Sequence, residues 1–218
     1  LLFKQLEVWW VLQVQIKKNI ARVGTSIGDI TASLFCVIGV LSQLILRNRV
    51  NRGSKLDLSM LDCQVAILEN AITRYSVEKK NPFPLGTDHP SITPFGSFDT
   101  LNEKIVIAIG NEKLFKNFCE VINDEEMLSM KIFNSNANRN KNIKKLRGRI
   151  EKILKREKAS YWLKKFSKKG VPSAKINKIS NLMNNPQVKN RGMIVDYKNK
   201  LIKKLKLPGN PLKFNFSK

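Results

Sequence analysis

The apolar positions of this chain settle into a regular pattern only from Val23 onward. Gly24-Thr-Ser-Ile-Gly-Asp29 reads as a turn in which Asp29 can cap a helix. The run that follows, Ile30 to Arg47, is apolar on nearly all sides, which predicts a helix enclosed by protein. Arg47, Arg49 and Arg52 suit the negative end of that helix, and Gly53 is expected to close it. Lys55 to Met60 then alternates, with Leu56, Leu58 and Met60 set against Lys55, Asp57 and Ser59, the period of a half-buried strand. Leu61, Val65, Leu68 and Ile72 return to helical spacing and predict a helix to about Val77.

Between Leu85 and Phe98 the periodicity stops. Pro82 and Pro84 precede this stretch and Gly86, Pro90, Pro94 and Gly96 lie inside it, so it can be neither a helix nor a central strand. It reads as an ordered connector or loop, and it holds His89, the single histidine of the chain. Such a segment is either a domain junction or a place where a scaffold presents polar groups to a cleft. Beyond it, Ile105 to Ile109 is a short apolar strand and Asn111 to Ile122 an amphipathic helix with Leu114, Phe115, Phe118 and Val121 on one face. Asn142 to Phe166 reads as helical, its inner stripe marked by Ile143, Leu146, Ile150, Ile153 and Leu154. Gly170-Val171-Pro172 stops it. A short helix is expected over Ile176 to Met183, a strand over Met193 to Tyr197, and extended chain after Lys198.

At 218 residues with 42% hydrophobic content, the chain has material for a real core in one large or two small domains. The net charge of +23 is unevenly placed. Residues 141–218 carry 24 lysines and arginines against three acids, Glu151, Glu157 and Asp196, while the front is close to neutral. A basic half can mark an anionic partner such as RNA. Here the lysines are scattered around apolar helix positions without a row of stacking aromatics, which favours a lysine-biased composition over a nucleic-acid surface. Cys36, Cys63 and Cys119 stand far apart with no second histidine, so neither a zinc site nor a disulfide framework is expected and a reducing cytosol is. The apolar run Ile30 to Leu46 is short for a membrane span and contains Ser33, Ser42 and Gln43.

Three blocks together resemble a known family: Arg22-Val-Gly-Thr-Ser-Ile-Gly-Asp-Ile-Thr-Ala, Gly53-Ser-Lys-Leu-Asp-Leu-Ser-Met-Leu-Asp, and Gly86-Thr-Asp-His-Pro-Ser-Ile-Thr-Pro-Phe. Ala108-Ile-Gly-Asn, Asn136-Ala-Asn-Arg139, Trp162-Leu163, Gly170-Val-Pro172, Asn185-Pro-Gln-Val188 and Arg191-Gly-Met193 follow in order. The sequence is similar to the class III CoA-transferases over most of Arg22 to Met193. The resemblance implies an α/β architecture: the end of a Rossmann-like large domain over 1–84, a small α+β domain over 85–192, and a truncated return segment over 193–218. It also implies coenzyme A, carried as an acyl-CoA substrate, a carboxylic acid acceptor, an interlocked homodimer and a cytoplasmic setting, with no membrane and no metal.

In the family an aspartate attacks the acyl-CoA thioester, and an aspartyl-CoA thioester then passes CoA to an acid. That aspartate belongs to a Tyr-Asp pair upstream of a segment resembling Leu-Leu-Phe-Gln-Ala-x-Gly-Gly-Leu, so the resemblance places it just before Leu1. The chain is therefore expected to be an inactive fragment of a transferase. Trp9 and Trp10 depart from the family pattern, and residues 4–15 are expected to be an out-of-frame reading of it. The substrate-contacting candidates are Gly86, Thr87, Asp88 and His89, in the loop that the family closes over the acyl group. Gly86 would let backbone approach the thioester, and His89 could donate to a carboxylate or phosphate, or simply cap the loop. Asp29, Asp57 and Asp62 read as structural. The other readings that remain are a nucleic-acid-binding protein using 141–218 and a non-catalytic scaffold.

Overall fold

The computed structural model describes residues 23–198, 201–202 and 204–214. Residues 4–15, where the out-of-frame reading falls, lie outside them, as does Arg22. The chain divides after Ile92 into two compact units.

In the first unit, α1 spans Ile27–Val50. Its N-cap is Ser26; Asp29 lies inside the first turn rather than at the cap. The C-cap is Asn51, in the left-handed conformation that asparagine tolerates best after glycine, so the helix closes two residues before Gly53. The expectation of an enclosed helix fails among the described residues. Only Gly28, Thr31 and Ala32 are buried, and Leu34, Ile38, Leu41 and Ile45 stand exposed. By length and composition this helix could cross a membrane. The expected strand over Lys55 to Met60 is extended chain without a sheet partner among the described residues, and its Leu56 lies against α1 instead. A Cβ placed on Gly39 would come within 3.0 Å of the Leu56 side chain. The expected helix from Leu61 to Val77 is two helices, α2 (Met60–Ala66) and α3 (Asn70–Glu78). Between them Glu69 adopts φ 54° and ψ −125°, which resets the helical phase. Before the break Cys63 and Gln64 are buried while Leu61 and Val65 are exposed; after it Ala71 is buried and Ile72 exposed.

The second unit is built around a three-stranded antiparallel sheet in the order β1 (Phe95–Asp99), β2 (Lys104–Ala108), β3 (Ser173–Lys175). Phe95 to Phe98 is thus strand, not loop, and it occupies an edge, where a preceding proline costs no ladder bond. On β2, Ile105 and Ile107 are fully buried. They join one cluster with the inner faces of α4 (Glu112–Val121), α7 (Ile143–Leu154) and α8 (Ala159–Lys168). Phe115 and Phe118 enter it from α4, Leu146, Ile150 and Leu154 from α7, and Trp162 and Phe166 from α8. Phe166 stacks on Phe118 and Trp162, with ring centroids 5.6 and 6.0 Å away, and the Trp162 indole N–H donates to the Leu154 carbonyl at 2.8 Å. The helix expected over Asn142 to Phe166 bends between α7 and α8 because the β1–β2 turn supplies partners there. The Leu101 amide donates to the Glu157 carbonyl, and Asn102 Oδ1 accepts from the Ala159 amide. Two short helices, α5 (Glu126–Ser129) and α6 (Asn136–Lys141), connect α4 to α7. After β3 come α9 (Ile179–Asn184), α10 (Pro186–Asn190) and a hairpin of β4 (Ile194–Tyr197) with β5 (Leu205–Pro208).

Candidate active-site loop and its cavity

The loop is shaped by its own sequence. The Asp88 amide donates to the Leu85 carbonyl at 3.2 Å, closing a four-residue turn with Gly86 at φ +66°. That backbone conformation suits glycine, and the space a Cβ would fill is open. Pro90 has no N–H, so the first amides available after His89 are those of Ser91 and Ile92. Both donate to His89 Nδ1, at 3.2 and 3.1 Å. An accepting Nδ1 carries no proton, which puts the ring proton on Nε2 and fixes the imidazole's orientation. His89 thus caps the loop with one nitrogen and carries its proton on the other. His89 and Asp88 are half-buried, and Gly86 and Thr87 are exposed.

The same loop lines a cavity of about 580 Å³ within the first unit. Its walls come from the α2–α3 junction at Ile67, Leu68 and Glu69, from the Asn70, Ala71, Arg74 and Glu78 stripe of α3, and from Lys80 to Ser91. Of the candidate residues, Gly86 and Asp88 line it, while Thr87 and His89 lie in the same loop outside its lining. Arg74 was not visible as a candidate from sequence, since the apolar stripe drew the helix in a different phase. Its guanidinium makes no hydrogen bond or ion pair among the described residues, and its Nε is shut from solvent without a partner.

Thr93, which follows the loop directly, is gripped by α6. Its amide donates to Asn136 Oδ1 at 3.0 Å, its hydroxyl donates to Asn140 Oδ1, and its carbonyl accepts from Arg139 Nε at 2.8 Å. Arg139 is buried, with its guanidinium 4.1 Å from the Phe115 ring centre, and its remaining nitrogens donate to the Phe133 carbonyl and both Glu112 carboxylate oxygens. The hydrogen bond from Arg139 holds the Glu112 carboxyl below the usual glutamate range. Elsewhere in this unit, burial and the nearby Asp124 charge push the Cys119 thiol up to about 12, which rules it out as a nucleophile. Among the described residues, no cluster of three or more His, Cys, Asp or Glu side chains is placed to hold a metal ion.

Comparison with known proteins places these features in a family. The chain is 33% identical over 192 residues to the acetyl-CoA:oxalate CoA-transferase of Acetobacter aceti, covering 88% of this chain and 48% of that protein. It is 27% identical over 194 residues to the human succinyl-CoA:glutarate CoA-transferase, covering 89% and 44%. The chain spans about half the length of these curated relatives. A CaiB/BaiF family protein from Brucella suis superposes with a TM-score of 0.75 at 27% identity, covering 94% of this chain and 53% of that one. The family model described as CoA-transferase family III matches residues 7–218, nearly the whole chain, and the chain belongs to that family.

Proposed function

We propose that the protein transfers CoA from an acyl-CoA donor to a dicarboxylic acid, with Gly86 and Asp88 lining the acid's site and Thr87 and His89 beside it in the same loop. The observation that carries this reading is the family match across residues 7–218, joined to relatives whose named acceptors are oxalate and glutarate. In such a transfer a carboxylate attacks the thioester carbonyl and CoA leaves as thiolate. Return of the thiolate to the acceptor's carbonyl in the resulting anhydride yields the new thioester and releases the donor acid as carboxylate. The loop's part is to bind and orient the acid. Its open Gly86 face admits the reacting group, and the Nε2–H of His89 donates to a carboxylate oxygen. An interlocked homodimer in the cytosol belongs to the same reading, and the uncovered apolar flank of α1 offers a surface for such a partner to cover.

The test uses the protein as its gene encodes it, mixed with acetyl-CoA or succinyl-CoA and with oxalate, glutarate or succinate. Mass spectrometry is expected to find a new CoA thioester of the added acid and release of the donor acid. No new thioester with any donor and acid pair overturns the reading.

A further inference from the structure

We propose that Arg74 is the specificity residue for the substrate, binding the carboxylate of the dicarboxylic acid that does not react. The inference rests on the reading of the 85–92 loop as part of the acid's site. Arg74, on α3, lines the cavity of about 580 Å³ that Gly86 and Asp88 also line. That volume is ample for a short dicarboxylic acid with accompanying water.

The guanidinium is placed but unused. Glu78 lies four residues further along α3, the spacing at which a helical ion pair forms, yet no ion pair joins it to Arg74. Glu69 lines the same cavity and does not pair with Arg74 either. The Nε–H of Arg74 is buried with no acceptor, a condition that folded proteins rarely leave standing. An Arg fork binds a carboxylate through two parallel N–H donors, a geometry a second carboxylate on the ligand would satisfy. Glu69, Glu78 and Asp88 line the same cavity, offset in part by Lys80, so an acid is held there only where it gains the Arg74 pairing. A dicarboxylic acid pairs one carboxylate with the fork and keeps the other free to react, which an acid with one carboxylate cannot do, so the cavity discriminates by the presence of the second.

The test titrates oxalate, succinate and acetate into the wild-type protein and into Arg74→Gln and Arg74→Lys, with thermal melting as the folding control. Succinate or oxalate affinity is expected to fall at least tenfold in Arg74→Gln. A smaller loss is expected in Arg74→Lys, which keeps the charge without the fork, and acetate is expected to bind the wild type more weakly than succinate. Should Arg74→Gln fail to fold, Arg74→Lys carries the same comparison. Equal succinate affinity in the folded variant and wild type overturns the inference, as does acetate binding as tightly as succinate. Transfer assays separate this from the broader reading. Arg74-dependent dicarboxylate binding without CoA transfer keeps the site and removes the transferase. Transfer with the same acceptor KM in wild type and Arg74→Gln keeps the transferase and removes the site.

Discussion

At the scale of one residue, His89 poses a question that its two nitrogens can answer separately. Nδ1 holds the amides of Ser91 and Ile92, so any substitution that loses this acceptor loosens the loop whatever else the ring does. Asparagine places Oδ1 close to the position of Nδ1, so His89→Asn preserves the cap and deletes only the Nε2–H donor. His89→Ala deletes both. The expectation is that hydrogen exchange at the Ser91 and Ile92 amides stays slow in His89→Asn and becomes fast in His89→Ala. Binding of the acid is expected to fall by roughly tenfold or more in both, since a hydrogen bond to a charged group is worth about 1.5–3 kcal/mol. If His89→Asn binds acid as wild type does, His89 is a cap and nothing more. The sequence could single out His89 and Gly86, because a lone histidine among prolines and a glycine in a turn are local signals. Arg74 gave no such signal, since its importance depends on what fails to pair with it in three dimensions.

At the scale of elements, legibility follows how local each cause is. The amphipathic helix α4 and the strand β2 were readable because their period is set by burial against one core, and Phe115, Phe118, Ile105 and Ile107 are all buried as their spacing demands. The break between α2 and α3 was not readable, as Ile67, Leu68 and Glu69 include neither glycine nor proline. The bend between α7 and α8 depends on Asn102 and Leu101, more than fifty residues upstream of the groups they bind. Arg139 belongs to the same class. It ties α6 to the first turn of α4 through Glu112 and to Thr93, the residue directly after the loop. Arg139→Met leaves the Thr93 and Phe133 carbonyls without their donor and is expected to cost about 2–4 kcal/mol in urea unfolding followed by tryptophan fluorescence. The folded-state pKa of Glu112 is depressed, so its contribution is complete above the ordinary glutamate range and is lost as pH falls through the lower folded value. Glu112→Gln is expected to flatten that part of the acid limb, and an unchanged limb would show that the tie carries no charge-dependent stability.

At the scale of the whole molecule, burial is divided unequally. The described core lies in the second unit, from Phe98 to Val171, whereas the described first unit buries few apolar side chains and leaves most of α1 uncovered. A helix with Ile38, Leu41 and Ile45 all exposed needs a cover, and two kinds are available, protein or lipid. Gln43 is costly in hydrocarbon and easily satisfied within protein, which favours a protein cover, and a second subunit is the cover put to the test. Hydrogen exchange and analytical ultracentrifugation decide it together. A dimer in solution with α1 amides as protected as those of α7 is expected, alongside failure to float with phosphatidylcholine and phosphatidylglycerol vesicles. A monomer whose α1 exchanges rapidly would remove the homodimer. Flotation with the vesicles, with protection of α1 only when they are present, would assign the cover to lipid.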